Sequence, residues 1–163
     1  MAESTTTDNS AIYFPLIRLA ALLVGVLPSF IGVGKGMQEA AVGICTSASI
    51  RLDLSITIIP LAFISASLIY SVLIFFIFAK YKVEDYSNGF QLLTACFMTG
   101  IGGMVASIAT GTIAKSATVT RAQQKNFTTQ FLLLMIFAEL IGLFGMILAL
   151  AHGYEVISSG SGQ

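Results

Sequence analysis

The chain has 163 residues, 56% of them hydrophobic and only 10% charged, with a mean hydropathy of +0.89. A soluble domain of this size carries roughly 25% charged residues, so a water-soluble globule is excluded and a membrane protein is implied. Eight basic residues balance eight acidic ones, which removes the electrostatic case for a nucleic-acid partner.

Residues 1–10 are polar and acidic, without the positive start of a signal peptide. They read as a disordered tail, and the first apolar segment is expected to stay in the mature chain. That segment covers about 11–34 with one charge, Arg18, and the pair Lys35 and Glu39, four apart, suggests that the helix continues out of the membrane to about 41. Pro15 suits a helix start, and Pro28 is expected to kink the helix. Arg18 reads as a cation that snorkels to the nearer interface, with contact to lipid headgroups or to a plug inside an assembly as the alternative.

A second span is expected over about 53–79, its part from Leu54 to Ala79 free of charge, with a kink at Pro60. A loop over 80–88 follows, then a third span over about 89–117 and a fourth over about 126–151. Each run is long enough to cross the hydrocarbon, which takes about 20 residues as a helix. Backbone groups in lipid must bond within their own segment, and the alternation of a barrel strand is absent, so the fold class is all-α with four transmembrane helices. Residues 152–163 read as a second polar tail, disordered from Ser158. Cys45 and Cys96 lie in different apolar segments with no metal-like spacing, so two free thiols are expected and no metal site.

The connections after the first and third spans hold five basic residues, Lys35, Arg51, Lys115, Arg121 and Lys125; the opposite side holds three, Arg18, Lys80 and Lys82. The positive-inside rule then puts those two connections in the cytosol and both tails across the membrane. Asn126-Phe127-Thr128 is a formal glycosylation sequon, and a cytosolic connection would never meet the transferase.

The chain also reads as a duplication of one helical hairpin. A shift of 75 residues lays Gly25 on Gly100, Gly32 on Ser107 and Gly36 on Gly111; a shift of 74 lays Phe63 on Phe137, Tyr70 on Phe144, Ser71 on Gly145 and Ser65 on Glu139. Ala95, Thr99, Gly103, Ser107 and Gly111 recur every four residues in the third span, as do Gly32, Gly36 and Ala40 in the first. Small-xxx-small faces let helices approach closely in lipid. Packing within one chain is the simpler reading of Gly32, Gly36, Gly103, Ser107 and Gly111. The other is a crowded inner wall made by the first and third helices of many copies, with the bulky second and fourth helices outside.

Glu139 is the one charged side chain between Phe127 and Ala151, at the midpoint of that 25-residue stretch. A carboxylate at a membrane midplane costs roughly 2.5–3.5 kcal/mol on insertion scales, and ionisable groups placed there mark ion pathways and proton relays. A permanently neutral carboxyl bonded to Ser65 or Tyr70 is the structural alternative. As a proton carrier, Glu139 would turn through lipid only when protonated, with Gly142 leaving space beside it and Phe137 and Phe144 excluding water.

The run Ile136-Phe137-Ala138-Glu139-Leu140-Ile141-Gly142-Leu143-Phe144-Gly145 closely resembles the last helix of the proteolipid c-type subunits of vacuolar-type proton ATPases. Ala41-Val42-Gly43-Ile44-Cys45, Ile58-Ile59-Pro60, Gly89-Phe90-Gln91-Leu92 and Gln123-Gln124 match the same family, and the resemblance covers about 13–150. It implies a ring of c-type subunits, helices one and three inside, that turns in the membrane sector of a rotary pump. Glu139 matches the family's proton carrier. The implied partners are other c-type subunits, an essential arginine of the stationary a subunit, a central stalk on the cytosolic loops, and lipid. The implied site is a vacuolar or other endomembrane with lumenal tails. The chain would hydrolyse nothing itself: it shows no phosphate loop and needs no cofactor. A sodium-carrying rotor of the same family and a tetraspan structural or pore-forming protein are the rival readings, and a c-prime type remains open. Lys35, Glu39, Lys115 and Arg18 depart from the family's usual pattern.

Overall fold

The computed structural model describes residues 3–51, 58–80, 83 and 85–160. It holds four long helices: α1 Glu3–Ile50, α2 Ile59–Phe78, α3 Tyr86–Gln123 and α4 Thr128–Gly160, with a 3-10 turn Lys125–Phe127 before α4. No strand occurs among the described residues. Each helix contains a window long and apolar enough to cross a membrane, and the protein is an integral, multi-pass membrane protein.

The helices run past the bounds that apolarity alone suggested. α1 begins at Glu3 and ends at Ile50, so the stretch 4–10 is helical and Pro15 lies inside the helix rather than at its start. α4 continues to Gly160 through most of the expected tail. The expected start of α2 near 53 lies outside the described residues. Pro60 sits in the first turn of α2, where its missing N–H is an orphan anyway; it starts that helix and does not kink it. α3 is capped by Asp85, whose carboxylate accepts the Tyr86 N–H at 2.8 Å.

α3 is the axis of the bundle and touches each of the other helices; α1 and α3 make the most extensive contact, and α1 scarcely meets α4. Successive contacts show that α1 and α3 run parallel and in register: Gly25 faces Cys96, Gly32 faces Met104, Gly36 faces Ser107 and Gly111, and Gly43 faces Lys115. A Cβ built on Gly32 would lie 2.5 Å from the Met104 Cα, and one on Gly111 would lie 2.5 Å from the Gly36 Cα. Real Cβ atoms do not come that close, so glycine at these positions is the condition for the approach. The repeat-equivalent pair Gly36 and Gly111 meet each other directly. The small-residue stripe is therefore consumed inside one chain, between α1 and α3, and is not left free to pack copy against copy.

The interior is layered along the membrane normal. One apolar cluster, with Leu22, Ile74, Phe78, Leu92 and Cys96, fills the end that carries the two tails. A second, with Val33, Ile64, Ala114, Phe131 and Met135, fills the opposite end. Between them lies a belt of buried hydroxyls: Ser29, Ser67, Ser71, Thr99, Ser107 and Thr110. Buried polar groups need partners, and these have them. Ser29 and Ser71 share a hydrogen bond of 2.5 Å, Ser67 and Ser107 another, and Thr110 donates to the Ala106 carbonyl at 2.8 Å. The outside is apolar, with Leu23, Leu27, Phe30, Phe76, Phe97, Phe137 and Phe144 exposed, as a surface in contact with acyl chains must be.

Arg18 does not reach outward. Its guanidinium donates to the carbonyl of Ala79, the C-cap of α2, where a cation meets the unpaired carbonyls and the negative end of the helix dipole. The expected Lys35–Glu39 pair is not formed. Glu39 instead pairs across helices with Lys115, Nζ to Oε2 at 2.8 Å, because the in-register crossing at Gly43 brings that lysine alongside. Cys45 and Cys96 are both free.

Candidate functional site

The buried stripe of α4 is Phe131, Met135, Ala138, Gly142, Gly145, Ala149 and Gly153, a spacing of three and four residues that puts one face against the bundle. Glu139 sits on the edge of this stripe, 7% exposed. Two small residues bring it that close. A Cβ on Gly142 would lie 3.1 Å from the Ala106 Cβ, and one on Gly145 would lie 3.1 Å from the Gly102 Cα. α4 therefore rests directly on α3, and the carboxyl is pressed into the bundle at the level of the hydroxyl belt.

Both carboxyl oxygens are buried, and neither has a hydrogen-bond partner among the described residues. Every buried serine and threonine in the belt is satisfied; the one acid is not. A buried polar group without a partner costs about 1–3 kcal/mol when neutral, and more when charged. In a bundle that bonds its hydroxyls this completely, such a group is a candidate for function. Burial in hydrocarbon disfavours the charged form, so the pose suits a protonated, neutral acid.

Of the residues expected to support it, the structure brings two to the carboxyl. The edge of the Tyr70 ring (Cδ2) and Oε1 of Glu139 each lie 3.8 Å from where a Cβ on Gly142 would stand, so Tyr70, Gly142 and Glu139 form one cluster. Ser65 is not part of it as a donor, because its hydroxyl donates to the Ala62 carbonyl of its own helix at 2.9 Å. Phe137 and Phe144 point away, 60% and 59% exposed. They lie seven residues apart on the outer face of α4, and water is kept from the carboxyl by the bundle rather than by these rings. Sequence reasoning missed Ala106, the methyl wall against Gly142. Its only signal was its place in the third-helix run of small residues, one position before Ser107. No cluster of His, Cys, Asp and Glu able to hold a metal occurs among the described residues.

Comparison with known proteins adds a second line of evidence. A family model for the ATP synthase c-type subunit matches residues 93–151, which takes in α3, α4 and Glu139. The chain is 29% identical over 160 residues to the second 16 kDa proteolipid of the V-type proton ATPase of Caenorhabditis briggsae, covering 94% of this chain and 99% of that protein. It is 28% identical over 153 residues to the human V-type proton ATPase 16 kDa proteolipid, covering 92% and 97%. It is 26% identical over 147 residues to the c-type subunit of the V-type proton ATPase of Candida tropicalis, covering 88% and 92%. These alignments span all four helices, and the resemblance carried by the run around Glu139 is borne out.

Proposed function

We propose that this chain, a homologue of the c-type proteolipids of V-type proton ATPases, is a proton-carrying subunit of the rotor ring, and that Glu139 carries the proton. The observation that bears most weight is the isolation of that carboxyl: it is buried, without a partner, beside Tyr70, Gly142 and Ala106. Copies would close into a ring with α1 and α3 inside and α2 and α4 outside. The apolar exterior of α4, with Phe137 and Phe144, then faces lipid and the stationary a subunit.

In this reading the buried pose is the loaded state. The neutral acid is carried through the hydrocarbon inside its own bundle. It exchanges its proton only where a half-channel admits water and an arginine of the a subunit stabilises the carboxylate. Water and a cation lower the free energy of the ionised form, and lipid raises it; that difference makes rotation and proton transfer obligatory partners. The chain supplies no nucleotide site of its own, and hydrolysis would take place elsewhere in the assembly. The connection around Arg121, whose Nε donates to Thr128 at 3.3 Å, would face the central stalk in the cytosol, with both tails in the lumen of a vacuole or related organelle. A sodium-carrying reading needs a shell of oxygens about the carboxylate. The groups found beside it are a ring edge, a methyl and a glycine, which favours the proton.

Glu139→Gln is the decisive variant. It keeps size and polarity and removes only the titrating proton. Expected is a correctly assembled complex that no longer acidifies vesicles. Normal acidification by the assembled variant overturns the assignment and leaves the tetraspan structural reading. A hydrophobic carbodiimide should label Glu139 in the wild-type assembly, since that chemistry needs a protonated carboxyl within lipid.

A further inference from the structure

The face of α1 and α3 turned away from α2 carries a groove that changes character along its length. At the tail end it is lined by Val24, Leu93, Thr94 and Phe97. Helical periodicity, 3.6 residues per turn, continues that same face toward the other end. Lys35 lies eleven residues after Val24, close to three whole turns, and Lys115 lies eighteen after Phe97, five whole turns. By the same count Lys35 points opposite to Val26, nine residues earlier, which lines the groove between α1 and α2. One continuous face thus runs from an apolar trough, through exposed Ile31 and Ile101, to two lysines.

The charges on this face do not balance. Glu39 is bonded to Lys115 at 2.8 Å, with both side chains nearly half exposed. Lys35 is exposed and makes no ion pair among the described residues. Its depth makes that costly. Gly36 packs on Ser107 and Gly111, and Gly142 packs on Ala106, so Lys35 stands within about one helical turn, ~5 Å, of the level of Glu139. An ammonium at that depth needs an anion or water. The shape of the face says which anion fits. An apolar trough with a surplus of positive charge at one end matches an amphipathic anion, and the distance from Lys35 to Val24 is about 16 Å at 1.5 Å per residue, the scale of an acyl chain.

We infer that this α1–α3 face binds an anionic phospholipid of the leaflet nearer the Arg51 and Lys125 connections. Its phosphate sits on Lys35, with Lys115 adding positive potential, and one acyl chain lies over Ile31, Ile101 and Phe97. Where copies close into a ring with α1 and α3 inside, the face lines the interior, and the lipid neutralises a circle of like charges that would otherwise repel across a low-dielectric space. Lysine stands out at this position against the family pattern, so the site is a property of this chain.

The test uses the purified assembly in a neutral detergent. Ring formation is first verified by imaging; its failure counts against the rotor reading and says nothing about lipid. Lipids that remain after extensive washing are extracted and identified by mass spectrometry, and thermal stability is measured with added phosphatidylglycerol or phosphatidylcholine. Wild type should retain anionic over zwitterionic phospholipid and be stabilised by phosphatidylglycerol alone. Lys35→Met, which leaves the Glu39–Lys115 pair intact, should lose most of the retained anionic lipid and the selective stabilisation, and Lys35→Arg should keep both. Equal retention by wild type and Lys35→Met overturns the proposal. So does stabilisation by both lipids alike. A loss of stability in Lys35→Met that no lipid influences also overturns it, and assigns Lys35 to a carboxylate of a neighbouring copy.

Discussion

The two hairpins of this chain close by different chemistry. In the first, α1 and α2 are joined by a hydroxyl pair, Ser29 with Ser71, and Ser65 bonds its own helix. In the second, α3 and α4 are joined by glycine against glycine and glycine against methyl, Gly102 with Gly145 and Ala106 with Gly142. Ser71 and Gly145 are repeat equivalents, as are Ser65 and Glu139. The first half thus fills its polar positions with groups that satisfy each other. The second half has removed every hydroxyl from the seat of its carboxyl and left both acid oxygens without a partner. One half is built to stay shut, and the other holds a group whose bonds are all still to be made.

The largest effect should come from the position that separates the halves. Glu139→Gln is expected to abolish proton transport in an assembled complex. Glu139→Leu should abolish it as well, yet raise stability by about 1–3 kcal/mol, because it removes a buried polar group that no bond compensates. Ser65→Ala, at the equivalent place, should leave transport intact. Its hydroxyl bonds only its own helix, so the cost in stability is about 0.5–1 kcal/mol or less. Transport assays on reconstituted vesicles and thermal unfolding of the same samples read both quantities. If Glu139→Leu proves strongly destabilising, the carboxyl has a partner in the assembly and the contrast between the hairpins is lost.

The four spans and Glu139 were legible in the sequence, since charge-free runs and a lone acid are strong signals in a membrane chain. Where the helices end was not. Apolarity reports the lipid boundary, whereas α3 and α4 continue as helix beyond it, to Gln123 and Gly160. Three side-chain assignments failed for a common reason: periodicity within one helix is silent about which neighbour stands alongside. Glu39 took Lys115 rather than Lys35, Ser65 turned to its own backbone, and Arg18 capped α2. The small-residue stripes were visible, but a stripe does not reveal whether it meets its own chain or another copy; the register of Gly36 on Gly111 does.

That register supplies the next test. Gly111→Ala places a methyl 2.5 Å from the Gly36 Cα, and the atom in the way is backbone, which cannot move aside alone. α1 must separate from α3, at a cost of about 3 kcal/mol, the upper range for overpacking. Gly102→Ala meets the Gly145 Cα at 3.1 Å and should cost about 1 kcal/mol, but it also shifts α4 at the turn beside the carboxyl. Transport should therefore fall further than stability does in Gly102→Ala, and the two should fall together in Gly111→Ala. The reverse pattern would mean that the α1–α3 seam, not the α3–α4 seam, positions the acid.

Smaller effects should mark the hydroxyl belt. Ser29→Ala deprives the Ser71 hydroxyl of its partner in a buried site, at about 1–3 kcal/mol. Ser107→Ala should cost less, about 0.5–1.5 kcal/mol, because Ser67 keeps the Ile64 carbonyl at 3.1 Å as an acceptor. The smallest belongs to the one interhelical ion pair among the described residues. Glu39→Gln removes a bridge whose side chains are 44% and 48% exposed. Pairs open to solvent contribute about 0–1 kcal/mol, so in detergent solution the change in unfolding temperature should be slight and should vanish at high salt. A loss that persists at high salt would show that the pair is shielded in the assembly. The α1–α3 seam would then be held by charge at one end as well as by glycine along its length, and the first half of the chain would carry a second polar lock that the second half lacks.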